Sequence, residues 1–319
     1  MLEKKINLCF LPTPLHPLIN LSKKYPGYRL YIKRDDLTGL AGGGNKARKL
    51  EYLIFDALSN NCDTIITGGA QQSNHCRQTA AACAVTGLEC HLALGGNEPE
   101  KYEGNLLSSF LFGVKIFFTG EHRKGEDIPG IRSELERKNK KCYVIPYGGS
   151  NVTGALGYVN AVSELKDQLE IKSLKIDYIF FASSSGGTQA GLILGLELFN
   201  LKTELMPVNI DKEDQEGITQ EENILNILNN GAELLNIKKE FSAADVKLIR
   251  GYDSPGYGVV TENETSAIKQ LAESEGILID PVYTGRAFYA MLDHLDRKKL
   301  KPDTNILFLH TGGLPAYRF

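Results

Sequence analysis

The chain has no tryptophan, only three methionines and no excess of either charge: 36 lysines and arginines stand against 39 acids, a net charge of -3. So even a balance gives no basic field to gather nucleic acid or an acidic membrane. No apolar run approaches the length that spans a bilayer. Near the start, Pro12 and Pro14 interrupt a short apolar stretch that is too brief for a signal h-region, so the cytoplasm is the expected location. Six cysteines, at 9, 62, 76, 83, 90 and 142, form no CxxC pair and match neither a disulfide framework nor a zinc spacing. The six histidines include no HxxxH or HExxH, so no metal site is expected. Both GxxxxGK[ST] and GxGxxG are missing as well, which removes the P-loop and the dinucleotide fingerprint. Small molecules remain as the expected partners.

What is present is a core. The 319 residues are 42% hydrophobic and 24% charged, enough for two ordinary domains or one large α/β domain. Short apolar, β-branched runs alternate with amphipathic stretches, the pattern of a parallel, doubly wound α/β architecture. Strands are expected at 64–67, 90–94, 114–118, 142–145, 178–182, 205–210, 246–249, 277–279 and 306–309. Helices should begin near Asn45, Ser73, Glu103, Ile131, Val152, Thr188, Glu262 and Arg286. In the first of these, Leu50, Leu53, Ile54, Ala57 and Leu58 fall on one face. The polar segments 121–130 and 211–217 read as surface loops. Several strands end in small, polar or glycine-rich turns, at 68–70, 183–187, 283–285 and 311–313. Ligands of open parallel sheets sit at the carboxyl ends of strands, so four such turns point to one cleft lined from distant parts of the chain.

Three segments carry the chemistry. In Gly42-Gly43-Gly44-Asn45-Lys46, the glycines permit positive φ and close approach, and Asn45 is the expected N-cap. Lys46 then lies in the first helical turn beside Arg48 and Lys49, where the helix dipole and neighbouring cations should lower its pKa and free the amine for imine formation. A solvated surface lysine is the competing possibility. Residues 183–191 follow an apolar strand and open an apolar helix, so Ser184, Ser185, Gly186, Gly187 and Thr188 form a phosphate cradle, with a plain tight turn as the alternative. In 68–75, Ser73 and Asn74 are placed to bind a substrate carboxylate or a ring hydroxyl, though Ser73 is also a natural N-cap. His75 beside them serves structure more readily than chemistry. Tyr257 and Tyr283 sit in rigid turns, as core residues or as proton relays. Thr311, just past the last strand, either faces a ring nitrogen or caps its own turn.

Together these segments resemble the family of D-cysteine desulfhydrases and 1-aminocyclopropane-1-carboxylate deaminases, fold-type II pyridoxal-phosphate enzymes. The resemblance runs over nearly the whole chain. It is carried by Pro12-Thr13-Pro14-Leu15, Lys33-Arg34-Asp35-Asp36-Leu37-Thr38-Gly39, Gly43-Gly44-Asn45-Lys46, Arg48-Lys49-Leu50-Glu51, Gln72-Ser73-Asn74-His75 and Arg77-Gln78. It continues in Ser185-Gly186-Gly187-Thr188, Ala190-Gly191, Asp280-Pro281-Val282-Tyr283-Thr284-Gly285 and His310-Thr311-Gly312-Gly313.

The resemblance implies two doubly wound parallel-sheet domains with pyridoxal phosphate in the cleft between them: a larger one from 1–48 and 160–319, and a smaller one inserted at 49–159. It makes Lys46 the Schiff-base lysine, residues 184–188 the phosphate cup and Asn74 the contact of the ring hydroxyl. Tyr283 and Thr311 complete the cofactor set. Ser73, Tyr257 and Tyr283 match active-site positions, and Ser73, Asn74, His75 and Thr284 the substrate side. It also implies a homodimer. At Thr284 and Thr311 the deaminases carry glutamate and leucine, so the pattern here is desulfhydrase-like. The expected reaction is α,β-elimination of D-cysteine to pyruvate, hydrogen sulfide and ammonia. Deamination of the cyclopropane to 2-oxobutyrate, another small D-amino-acid lyase or racemase, and a phosphate-ligand binding protein are the alternatives.

Overall fold

The structure, a computed structural model, describes residues 2–210, 217–253, 256 and 258–313. Within them the strands are β1 (Leu15–Pro17), β2 (Tyr28–Arg34), β3 (Thr64–Ala70), β4 (Glu89–Gly95), β5 (Lys115–Phe118), β6 (Cys142–Val144), β7 (Tyr178–Ser183), β8 (Glu204–Asn209) and β9 (Thr304–His310). The helices are α1 (Ile19–Lys24), α2 (Asn45–Ser59), α3 (Asn74–Thr86), α4 (Gly104–Leu111), α5 (Ile128–Arg137), α6 (Val152–Ile171), α7 (Gly187–Leu198), α8 (Gln220–Leu235), α9 (Glu262–Glu275) and α10 (Thr284–Asp296).

The strands form two sheets. The first has the order β1-β2-β9-β7-β8, parallel throughout except for the β1–β2 edge pair. The second has the order β5-β4-β3-β6 and is entirely parallel. Each sheet reverses its winding once. After β7 the chain adds β8 on one side and β9 on the other; after β3 it adds β4 on one side and β6 on the other. The strand ends on either side of such a reversal diverge and leave a crevice. The expected cleft lies where these two crevices belong.

Apolar clusters cover both faces of the first sheet, one around Phe180, Phe288 and Phe308, the other around Phe181, Leu192 and Leu307. The second sheet packs on α2 and α3 through Leu53, Cys76 and Cys83, so the cysteine stripe of α3 is core. Helix α6 crosses α2 closely enough that a Cβ at Gly157 would stand 2.4 Å from the Arg48 carbonyl oxygen, so only glycine fits the crossing.

Several expectations need correction. Residues 246–249 and 277–279 are not strands. Ile249 makes a single bridge to Val208, and 277–279 is buried at Ile277 and Ile279 without joining a ladder. Helix α8 and strand β2 escaped the sequence pattern. Leu58 is 39% exposed and so lies off the buried face of α2. Segment 121–130 is a loop only as far as Asp127, since α5 starts at Ile128 with Pro129 in its first turn, the place where a missing N–H costs nothing. Of the acidic stretch, 211–216 falls outside the described residues.

Candidate active site

The carboxyl ends of β3, β6, β7 and β9 converge on one cleft, with about 650 Å³ of space between protein atoms, part of it open to solvent. Lys46, Ser73, Asn74, His75, Ser184, Ser185, Gly186, Thr188, Tyr283 and Thr311, widely spaced in sequence, all line it.

Lys46 arrives at the cleft through a tightly built turn. Gly43 has φ +74°, and a Cβ there would lie 1.8 Å from the Asp36 carbonyl oxygen. Thr38 Oγ1 accepts from the Gly44 N–H and donates to the Gly44 carbonyl, pinning the turn from below. Gly44, not Asn45, occupies the N-cap position. The Asn45 amide instead bridges to the next turn: its Nδ2 donates to Thr188 Oγ1 at 3.0 Å, while its Oδ1 accepts from Lys46 Nζ at 3.2 Å. Enclosure pushes the Lys46 pKa down to about 8. Burial, rather than the helix dipole or Arg48, is the cause, because Arg48 points the other way.

That other face of α2 is an anchor. Arg48 is buried and pairs with Asp35 at 2.8 Å and Glu164 at 2.9 Å, and the Tyr158 hydroxyl donates to Asp35. Burial alone would raise the Asp35 pKa, but the Arg48 guanidinium outweighs it and holds the carboxyl at about 2. Lys33 joins the network through Glu164. The network fixes α2 two residues from Lys46.

The β7–α7 turn brings Ser184, Ser185, Gly186 and Thr188 to the cleft. Gly186 takes a left-handed conformation as N-cap and Gly187 opens α7, so the positive end of a twelve-residue helix faces the cleft. Sequence reasoning missed its supports. Ser150, in the turn after β6, accepts from the Gly187 N–H at 3.1 Å and from Lys49 Nζ at 3.2 Å, and donates to Ser185 Oγ at 2.8 Å. The N–H of Gly187 is therefore already satisfied within the protein. Asn223 of α8 holds the Ser185 carbonyl. The signal was legible: Tyr147-Gly148-Gly149-Ser150-Asn151 is a fifth glycine turn between a strand and a helix. Lys49, one turn beyond Lys46, is fully buried with no carboxylate within ion-pair range among the described residues. Burial, then the neighbouring Lys46 charge, drives its pKa well below the usual lysine value.

On the opposite wall, Ser73 caps α3, accepting from the Cys76 N–H at 3.2 Å, and still lines the cleft. Its cap uses a lone pair and leaves the hydroxyl proton to donate. His75 makes a determinate bond. Thr67 donates its only proton to the Ile145 carbonyl at 2.8 Å, so Thr67 Oγ1 accepts from His75 Nε2 at 2.9 Å. Nδ1 is then a bare lone pair, buried and without a partner among the described residues. Burial first, then the Lys46 and Lys49 charges, keep this ring neutral far below the usual histidine range.

Thr284 departs from expectation. It is completely buried, and its hydroxyl is used up by Asp280, donating to Oδ1 at 2.6 Å and accepting from the backbone N–H at 2.8 Å. It does not line the cleft; it folds the turn that presents Tyr283. Thr311 lines the cleft, and its carbonyl accepts from the Asn45 N–H at 2.9 Å. Tyr257 lies outside the described residues. Arg286 donates to the carbonyls of Gly256 and Val259. Among the described residues no cluster of acids, histidines and cysteines could hold a metal ion.

The cleft thus offers an enclosed amine, a helix N-terminus with serine hydroxyls for an anionic tail, and uncompensated cations. This is the donor set that pyridoxal phosphate requires, and the residues fit it. Comparison with known proteins agrees. The family described as pyridoxal-phosphate dependent enzyme matches residues 6–312. A D-cysteine desulfhydrase of Yersinia enterocolitica is 42% identical over 98% of this chain and 94% of its own length, and one of Klebsiella pneumoniae is 41% identical over the same shares. A crystal structure described as an ACC deaminase homologue superposes with TM-score 0.89 at 39% identity, over 98% of this chain and 92% of that one. A threonine deaminase of Solanum lycopersicum, at 18% identity and TM-score 0.64 over 94% of this chain and 79% of its own, shares the fold. The chain belongs to the family of pyridoxal-phosphate dependent enzymes.

Proposed function

We propose that this enzyme eliminates sulfide from D-cysteine, giving pyruvate, hydrogen sulfide and ammonia. The relatives at 41–42% identity bear that name, and the enclosed amine of Lys46 is the single observation that carries the reading. Pyridoxal phosphate, when bound, supplies an aldehyde that condenses with primary amines and a ring that withdraws electrons from the adjacent carbon. The remaining work falls to side chains. Lys46 is assigned to hold the aldehyde and, once released, to take the proton from the substrate Cα. A pKa of about 8 suits a base working near neutrality. Residues 184–188 are assigned to the phosphate, with Lys49 behind them, and Asn74 to the ring oxygen. Ser73 is assigned to the substrate carboxylate, with Tyr283 and Tyr257 beside the leaving group.

The reading extends to a smaller domain at 49–159 set into a larger one formed by 1–48 and 160–319, to a homodimer and to a cytoplasmic location. All four strands of the second sheet falling between 64 and 144 support the first of these. No helix among the described residues is long and apolar enough to cross a membrane. Cyclopropane deamination is the second reading, favoured by the ACC deaminase homologue at 39% identity. One assay separates them: purified enzyme given D-cysteine, L-cysteine and 1-aminocyclopropane-1-carboxylate, with sulfide, pyruvate and 2-oxobutyrate measured. Sulfide and pyruvate from D-cysteine are expected. Borohydride should fix the cofactor mass onto the peptide containing Lys46. A colourless protein that takes up no cofactor would end the reading.

A further inference from the structure

An asparagine side chain offers an acceptor at one end and two donors at the other, and which end faces a site decides what it binds. For Asn74 the surroundings settle the question. Arg77 has only donors, and its Nη1 lies 2.7 Å from Asn74 Oδ1, so that atom must be the oxygen. The same Nη1 donates to Asn105 Oδ1. The other end of Asn105 meets a carbonyl, with Nδ2 donating to the Gln72 oxygen at 2.7 Å and to Asn74 Oδ1 at 3.0 Å. The backbone N–H of Asn105 is in turn held by the Gln72 side chain at 2.9 Å. Asn74 therefore has its oxygen occupied from behind by two donors, and its NH₂ end is left for the cleft that it lines.

The charge behind this amide is unusual. Arg77 is 1% exposed, has no carboxylate within ion-pair range among the described residues, and its Nε has no hydrogen-bond partner. Its remaining bond runs to the Gly43 carbonyl, in the turn that carries Lys46. Burial lowers its pKa to about 10, which leaves it charged near neutrality. A buried, unneutralised guanidinium is costly unless something anionic arrives.

We propose that Arg77 and Asn105 are positioning residues: they lock the Asn74 amide donor-first and set a bare positive charge behind it, so that this wall selects the deprotonated ring oxygen of the cofactor. The proposal rests on the assignment of Asn74 to that oxygen. Neither residue lines the cleft; both act through Asn74. The bare charge also lowers the proton affinity of the bound chromophore.

The test is Asn105→Asp, of nearly the same shape, which places a carboxylate on Arg77 to cancel its charge and also removes the two donations of Nδ2, to the Gln72 carbonyl and to Asn74 Oδ1, so that lock and charge are attacked together. Apoenzyme is titrated with pyridoxal phosphate, and the visible absorption of the loaded enzyme is followed against pH. Neutralisation should raise the absorption midpoint by about one to two pH units and weaken cofactor binding roughly tenfold, with the far-ultraviolet circular dichroism unchanged. Arg77→Gln should shift the midpoint the same way, and Arg77→Lys should restore most of it. A folded Asn105→Asp enzyme with unaltered midpoint and cofactor affinity overturns the proposal. Wild-type enzyme that develops no visible band with pyridoxal phosphate overturns the underlying assignment instead, so the two failures are distinct.

Discussion

Helix α2 shows its two faces to two different electrostatic worlds. On one, Arg48 is enclosed by Asp35, Glu164, Thr13 and Tyr158, and nearly every donor has an acceptor. On the other, Lys46 and Lys49 are joined by His75 and Arg77 from α3, with no carboxylate in ion-pair range of the two lysines or the arginine among the described residues. Burial is equally deep on both sides for Arg48, Lys49 and Arg77. The difference lies in compensation. Charges on the structural face are neutralised inside the chain, whereas those facing the candidate site have no anion among the described residues.

That contrast can be broken or sharpened in four ways. Lys46→Ala should cost the largest factor, at least about a thousandfold in turnover, with a melting temperature close to wild type; a steady-state sulfide assay checks it. On the compensated face, Asp35→Asn should lower stability by about 3–5 kcal/mol, read by denaturant unfolding, because Arg48 loses its main partner. On the uncompensated face, Lys49→Met should do the reverse to the apoenzyme. Its melting temperature should hold or rise, while pyridoxal phosphate binds roughly ten- to a hundredfold more weakly. If both variants destabilise alike, the distinction between the faces fails.

The pH dependence supplies the fourth. Asp35 has a folded pKa depressed to about 2, so its stabilisation is fully present above the ordinary carboxylate pKa and is lost as pH falls from about 4 toward 2. Melting temperatures across that range should drop in wild type and much less in Asp35→Asn. By contrast His75, kept neutral by burial and the two lysines, should show no titration between about pH 6 and 8. Its ring nitrogens, followed by NMR, should report the Nε2–H tautomer throughout.

Much of this site was legible in sequence because its pieces are local. A glycine run before a helix, a serine-glycine turn after an apolar strand and an N-capping serine each announce themselves within ten residues. What stayed hidden depends on distant partners. Lys49 looks like any helix lysine until Gly148 and Ser150, about a hundred positions later, close over it. Arg48 looked like a perturbing neighbour of Lys46 because only the fold shows it turned toward Asp35 and Glu164. Thr284 is put on the substrate side by the resemblance, yet its hydroxyl is consumed by Asp280. An apolar run signals burial without signalling pairing: Ile277 and Ile279 are core, but Leu278 spends its carbonyl on His310 rather than on a ladder. Helix α8 was different. Thr219 and Glu222 form a capping box that is legible in the sequence itself.

The Ser150 hydroxyl has one further consequence. A single oxygen from the smaller sheet's last turn meets the lysine of α2 and two groups of the larger sheet's cradle, and it has no bonding capacity to spare. Removing it would take a partner from three groups on two elements at once, leaving Lys49 with the Gly148 carbonyl alone. The two sheets are thus riveted together at the spot assigned to the phosphate, and loading the enzyme should tighten the joint as well as fill it.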